Sequence, residues 1–110
     1  MKILLQTVIM ALSAVSVAAA DEVISNARAT QLLAKYNCQT CHALDKNLSG
    51  PSLRAIAKKY ASDPNAVNRL EASVVNGSTG VWGPIPMPPT AVPAGDLETL
   101  IKWILTLNVT

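Results

Sequence analysis

The chain has 110 residues, enough for one domain, with nine basic residues, seven acidic residues and a formal net charge of +2. Nucleic-acid binding needs a concentrated basic surface, and this near balance excludes one, so we expect no nucleic-acid partner. The chain has no Phe and only two Trp and two Tyr, so few large aromatic side chains are available for a hydrophobic core. A domain this small usually needs additional stabilisation from a metal or a covalent crosslink.

The first 20 residues have the layout of a secretory signal peptide. Lys2 gives a positive start, residues 3–17 are almost entirely apolar or small and carry no charge, and residues 18–20 are three alanines suited to cleavage. We therefore expect a cleaved signal peptide over residues 1–20 and a mature, exported domain over residues 21–110. Loss of Lys2 leaves that domain with a net charge of +1. An uncleaved membrane anchor is the alternative, although the apolar run is barely long enough to span a bilayer.

Hydrophobic periodicity predicts four helices and no strand, and therefore an all-α domain. The expected helices cover about residues 22–37, 51–61, 63–76 and 95–107. Asp21 and Glu22 should favour the positive N-terminal end of the first helix. Asp63 and Pro64 should begin the third helix, and Trp103 should border the buried stripe of the fourth.

The motif Cys38-Gln39-Thr40-Cys41-His42 lies at the end of the first predicted helix. Two thiols at this spacing can reach two adjacent vinyl groups of one porphyrin, and the His that follows is then placed beneath the ring. The motif therefore predicts one covalently attached haem c, with Cys38 and Cys41 as attachment points and His42 as an iron ligand.

Two other readings of the cysteines have weaker support. A thioredoxin-like dithiol opens a helix in a fold that contains strands, and no strand is predicted here. A structural zinc site needs four protein ligands, whereas the chain has two Cys and one His. A carboxylate could act as the fourth zinc ligand, although this is uncommon.

The second axial ligand follows by elimination. His42 is the single His, Met1 and Met10 leave with the signal peptide, and Met87 is then the one remaining Met. It lies within residues 77–93, where five prolines exclude helix and central strand. Met87 could simply fill the core, but flanking prolines restrict the backbone, so little entropy is lost by holding the sulfur at the iron.

Ligation by His42 and Met87 would fill both axial positions, which predicts a single-electron carrier that cycles between Fe(III) and Fe(II) and is not an enzyme. Two competing hypotheses come from other classes of protein. One is a haem enzyme or sensor in which Met87 is not bound. The other is a metal-binding or dithiol module without haem.

These residues resemble the class I c-type cytochromes, most closely the small bacterial monohaem c-551 type. The resemblance covers residues 21–110 and is most specific at residues 38–42, 50–51 and 76–89. It implies about four helices wrapped around one haem, with the first and last helices crossing. It also implies thioether bonds from both cysteines and His42 and Met87 as axial ligands.

The resemblance further implies that the Pro51 carbonyl accepts the His42 ring N–H and that the Trp82 indole reaches a haem propionate. Ser73 stands where some relatives have an Arg near the propionates, and Thr90 where some have an Asn near the Met sulfur. We therefore expect the propionate near Trp82 to titrate closer to neutral pH.

The family also suggests a location and partners. The implied protein is a soluble periplasmic monomer without stable membrane insertion after signal cleavage. It would exchange electrons transiently with a quinol-oxidising complex upstream and with a nitrite reductase or terminal oxidase downstream.

Overall fold

The computed structural model describes residues 2–14 and 22–109. Residues 2–14 form no helix or strand, and their apolar side chains are exposed. Across both described stretches, no helix is long and apolar enough to cross a bilayer. The expected cleavage residues 18–20 lie outside the described residues, so signal cleavage and the domain boundary stay predictions.

Within the described part of the chain, the regular structure consists of four α-helices and one short 3₁₀ helix, which confirms the all-α class. The α-helices are α1 (Asn26–Lys35), α2 (Leu53–Lys59), α3 (Ala66–Asn76) and α4 (Ala94–Leu105), and the 3₁₀ helix is Cys38–Thr40. The β-type pairing found in these residues is limited to two isolated bridges.

Helix α4 packs against each of the other three α-helices. Its apolar face meets that of α1 in a buried cluster formed by Ala29, Leu32, Leu33, Leu53, Leu100, Trp103 and Ile104. The expectation that Trp103 only borders the buried stripe was wrong, because the residue is 6% exposed. Its indole Nε1 donates a hydrogen bond to Asn26 Oδ1 at 3.0 Å, which satisfies the one polar group that burial would otherwise leave unpaired.

Helix α1 begins later than the sequence pattern predicted. Ser25 is the N-cap residue, and its hydroxyl accepts a hydrogen bond from the Arg28 backbone N–H at 3.1 Å. Val23, which falls within the predicted helix, therefore lies before α1 and is 50% exposed. The first turn of α1 therefore contains no acidic residue, and Glu22 lies outside the turn whose positive end it was expected to favour. Asp21 lies outside the described residues.

Helix α2 begins after Ser52, whose hydroxyl accepts from the Ala55 N–H at 3.0 Å, and it is shorter than predicted at both ends. Helix α3 begins at Ala66 and not at Asp63, because the Asp63 carboxylate accepts from the Asn65 N–H at 2.8 Å and organises a turn before the helix. Gly77, with φ of 77°, ends α3 as predicted.

Helix α4 spans 94–105 where 95–107 was predicted. The difference is confined to the ends of the helix. At its C-terminus, the N–H groups of Thr106 and Leu107 each donate to the carbonyl three residues earlier, which tightens the last turn.

Candidate functional site

The segment that carries both cysteines turns sharply away from α1. After α1 ends at Lys35, Asn37 adopts a left-handed φ of 58°, a conformation that Asn tolerates better than most residues. The backbone N–H groups of Cys41 and His42 then both donate to the Cys38 carbonyl, at 3.2 and 3.0 Å. The turn therefore holds two thiols and one imidazole on a short segment of defined backbone.

The six candidate site residues, which come from distant parts of the chain, line one cavity of about 510 Å³. They are Cys38, Cys41, His42, Pro51, Trp82 and Met87. Helices α2, α3 and α4 supply apolar side chains to its wall, namely Leu53, Ile56, Leu70, Val74, Leu97, Leu100, Ile101 and Ile104. Cofactor sites of roughly 300–1,000 Å³ with mainly apolar walls are typical of proteins, so the cavity suits an apolar macrocycle.

The His42 imidazole is half-buried, and its orientation is defined by one hydrogen bond. Its Nδ1 lies 2.7 Å from the Pro51 carbonyl oxygen. Because a carbonyl can only accept, this bond requires the proton on Nδ1, which leaves Nε2 with its lone pair available to a metal.

Gly50 provides the space in which the His42 ring lies. A Cβ atom at residue 50 would be 2.6 Å from His42 Cε1 and 3.0 Å from Nδ1, far inside van der Waals contact. The Gly50 N–H also donates to the Cys41 carbonyl at 2.9 Å. The sequence resemblance includes Gly50 but implies no role for it, and its position directly before Pro51 is the available indication.

The environment of Cys38 does not suit a redox-active dithiol. Burial raises the pKa of the Cys38 thiol, whereas reactive thiols have a lowered pKa because the thiolate is the nucleophile. Its Sγ–H is directed at the Tyr36 carbonyl, 3.9 Å away. A half-buried, protonated thiol facing an apolar cavity is instead suited to attachment of a group that occupies the cavity.

Met87 is held on a closed loop within the Pro-rich segment. Ser78 and Met87 exchange two backbone hydrogen bonds, of 3.0 and 2.8 Å, which close the loop between them. Gly77 is required at the base of this loop, because its φ is 77° and a Cβ there would be 2.8 Å from the Met87 carbonyl oxygen. On the far side, the Thr90 N–H donates to the Val74 carbonyl of α3 at 2.8 Å. The Met87 backbone is therefore fixed at its own residue and on both flanks.

Trp82 lies on the same loop, 44% exposed at the mouth of the cavity. The Lys59 ammonium, at the end of α2, is 5.4 Å from the centroid of its ring, a cation–π distance. Ser73 and Thr90 also line the cavity, but their hydroxyls donate to the local carbonyls of Arg69 and Pro88, at 3.1 and 3.2 Å.

The donor set fits a covalently attached haem better than a bare metal ion. The donors that line the apolar cavity are two thiols, one imidazole with free Nε2 and one thioether. Among residues 2–14 and 22–109, no group of three or more His, Cys, Asp or Glu side chains is placed to hold a metal ion. The zinc alternative therefore has no cluster of donors to support it in the described part of the chain.

Comparison with known proteins agrees with this arrangement. The family model for cytochrome c matches residues 27–108. The chain is 44% identical over 75 residues to cytochrome c-551 of Pseudomonas aeruginosa, covering 68% of this chain and 72% of that protein. It is 45% identical over 78 residues to cytochrome c-552 of Nitrosomonas europaea, covering 70% of this chain and 76% of the relative.

A similar fold is found among solved structures. The crystal structure of wild-type Nitrosomonas europaea cytochrome c552 superposes with a TM-score of 0.70 at 44% identity, covering 72% of this chain and 99% of that one. The described helices therefore share their fold with an experimental structure.

Proposed function

The chain belongs to the cytochrome c family, with one covalently attached haem c and an electron-carrying role, and we propose that it is a periplasmic carrier with His42 and Met87 as axial ligands. Cys38 and Cys41 would form the thioether bonds. When bound, the haem supplies an iron that accepts and releases one electron. The single observation that carries this proposal is the convergence of His42 and Met87 on one apolar cavity that also contains both thiols.

The protein's contribution is to hold both ligands in nearly the same place in either redox state. Pro51 and Gly50 define the orientation of the His42 imidazole. The paired backbones of Ser78 and Met87 fix the position from which the Met87 side chain extends. Little backbone then has to rearrange when the charge on the iron changes. This rigidity, together with two occupied axial positions, favours electron transfer over an enzymatic role.

The expected site of electron exchange is the surface around the Met87 loop. Val81, Trp82 and Ile85 are 48%, 44% and 62% exposed there. A small apolar surface of this kind suits a brief encounter with another redox protein, which needs only a limited contact area. We expect the partners to be a quinol-oxidising complex and a nitrite reductase or terminal oxidase. The periplasmic location is supported by the signal-like residues 1–20 and stays a proposal.

The axial assignment can be tested with Met87→Ala and with Ile85→Ala as its matched control on the same loop. We expect Met87→Ala to lose the weak sulfur-to-iron absorption band of the ferric protein in the near infrared and to bind CO rapidly when reduced. Ile85→Ala should keep the band and resist CO. A Met87→Ala protein that retains the band would rule out Met87 as the ligand, and a wild-type protein that lacks it would favour a haem enzyme or sensor.

A further inference from the structure

The peptide group between Pro51 and Ser52 is hydrogen-bonded at both of its ends. Its carbonyl oxygen accepts from His42 Nδ1 at 2.7 Å. Its N–H, which belongs to Ser52, donates to the side-chain oxygen Oδ1 of Asn47 at 2.9 Å. A continuous path of two hydrogen bonds and one peptide group therefore connects the Asn47 amide to the imidazole.

The surroundings make this peptide group unusually well defined. Ser52 is 6% exposed, and its hydroxyl and carbonyl are both used by the first turn of α2, in bonds to the N–H groups of Ala55 and Ile56. Asn47 approaches from the loop that follows the attachment motif, where its backbone pairs with that of His42 in an isolated antiparallel bridge. Asn47 is exposed, so its amide forms this bond without needing burial of the side chain.

The two hydrogen bonds act on the same delocalised group. An acceptor at the N–H end draws electron density toward the carbonyl oxygen, so bonds in such a chain strengthen one another. A more negative Pro51 oxygen binds the Nδ1 proton more strongly. The imidazole then becomes a stronger electron-pair donor through Nε2. Hydrogen bonds to a ligating His tune a bound metal in this way.

We propose that Asn47 is a positioning residue for His42, acting through the Pro51–Ser52 peptide group. It stabilises the oxidised form of the protein by strengthening the imidazole as a donor. The inference rests on the proposed function in one respect, the axial role of His42. It adds a residue that forms no hydrogen bond with the imidazole and whose role lies in the orientation and polarisation of the Pro51 carbonyl.

The test compares Asn47→Ala with Asn68→Ala in the haem-loaded protein. Asn68 is an exposed residue of α3, so its substitution removes the same side chain without breaking this path. We expect Asn47→Ala to raise the midpoint potential and to move the His42 Nδ1–H resonance of the reduced protein upfield, because the bond to Pro51 weakens. Asn68→Ala should change neither. Asn47→Asp, which keeps an acceptor for the Ser52 N–H, should hold the resonance at or downfield of its wild-type position.

An unchanged Nδ1–H resonance in Asn47→Ala would overturn the inference even if the potential moved, since the effect would then come from solvation. If Asn47→Ala does not fold, Asn47→Asp decides alone, and an upfield resonance in that variant counts against the path. Failure of the proposed function has a different signature: the wild-type protein itself would show no Nδ1–H resonance from an iron-bound His42, and this inference would fail with it.

Discussion

The Tyr36 hydroxyl donates a hydrogen bond of 2.5 Å to the carboxylate of Asp96. Tyr36 is the C-cap residue that follows α1, two residues before Cys38, and Asp96 lies in the first turn of α4. The bond therefore joins the two packed helices next to the point where the chain turns toward Cys38. It also raises the pKa of Tyr36, with burial and the negative charge of Asp96 acting in the same direction.

Tyr36→Phe should lower the thermal midpoint of unfolding, because it removes a charge-assisted bond between two helices while keeping the aromatic ring. Tyr60→Phe is the matched control, since no side-chain hydrogen bond among residues 2–14 and 22–109 involves the Tyr60 hydroxyl. Thermal unfolding followed by circular dichroism measures both variants. Equal midpoints for the two would show that the bond between Tyr36 and Asp96 contributes nothing measurable.

The same bond predicts a loss of stability at alkaline pH. The folded-state pKa of Tyr36 is raised above its ordinary value of 10.0, so its contribution is fully present below that value and is lost as the pH rises through the folded-state pKa. The wild-type free energy of unfolding should therefore fall toward that of Tyr36→Phe above about pH 10. Denaturant titrations of both proteins at neutral and alkaline pH test this, and a constant difference between them would contradict it.

Gly50→Ala should destabilise the protein by about 1–3 kcal/mol, the usual cost of overpacking, because the new Cβ would lie 2.6 Å from the His42 ring. The displaced ring should also weaken the bond to Pro51, visible as an upfield shift of the Nδ1–H resonance. Gly95→Ala is the control: its Cβ meets nothing within 4 Å, and replacing a helical Gly should stabilise by about 0.5–1 kcal/mol. A Gly50→Ala protein as stable as Gly95→Ala would refute the role given to Gly50.

Ser25→Ala should cost about 1 kcal/mol, the typical value for loss of an N-cap side chain. The reason is that the Arg28 N–H would lose its partner at 3.1 Å. Glu22→Gln should have little effect, since Glu22 precedes the helix. Urea denaturation of the two variants measures the free energy of unfolding that each one loses. A larger loss in Glu22→Gln than in Ser25→Ala would favour the earlier helix start that the charge pattern suggested.

Lys59→Gln should lower the midpoint potential more than Lys58→Gln and make it depend more strongly on pH. Lys59 places its ammonium 5.4 Å from the Trp82 ring, beside the expected propionate, whereas Lys58 is an exposed neighbour on α2. Removing a nearby positive charge favours the oxidised form and raises the propionate pKa. Potentiometric titrations between mildly acidic and mildly alkaline pH measure both effects. A wild-type potential that is flat over this range would exclude a propionate that titrates there.

Much of the fold could be read from local patterns. The buried positions Leu32 and Leu33 of α1 and most of the buried faces of α2 and α4 follow from apolar residues at helical spacing. Gly77 ends α3 as a Gly in the left-handed region is expected to do. The helix starts were less accurate. At 21–25 and 63–65 several residues could act as a cap, and their relative energies depend on neighbouring contacts that a linear pattern does not contain.

The chemical groups of the predicted haem site can be read from the amino acids alone. The motif at residues 38–42 combines two thiols and an imidazole within one turn, and Met87 is the one Met of residues 21–110. The contacts that support these groups are visible only in the folded protein. The space beside Gly50, the link from Asn47 and the bond between Tyr36 and Asp96 all depend on distances between atoms that folding brings together. Such contacts are produced by packing in three dimensions, and residue spacing along the chain does not predict them.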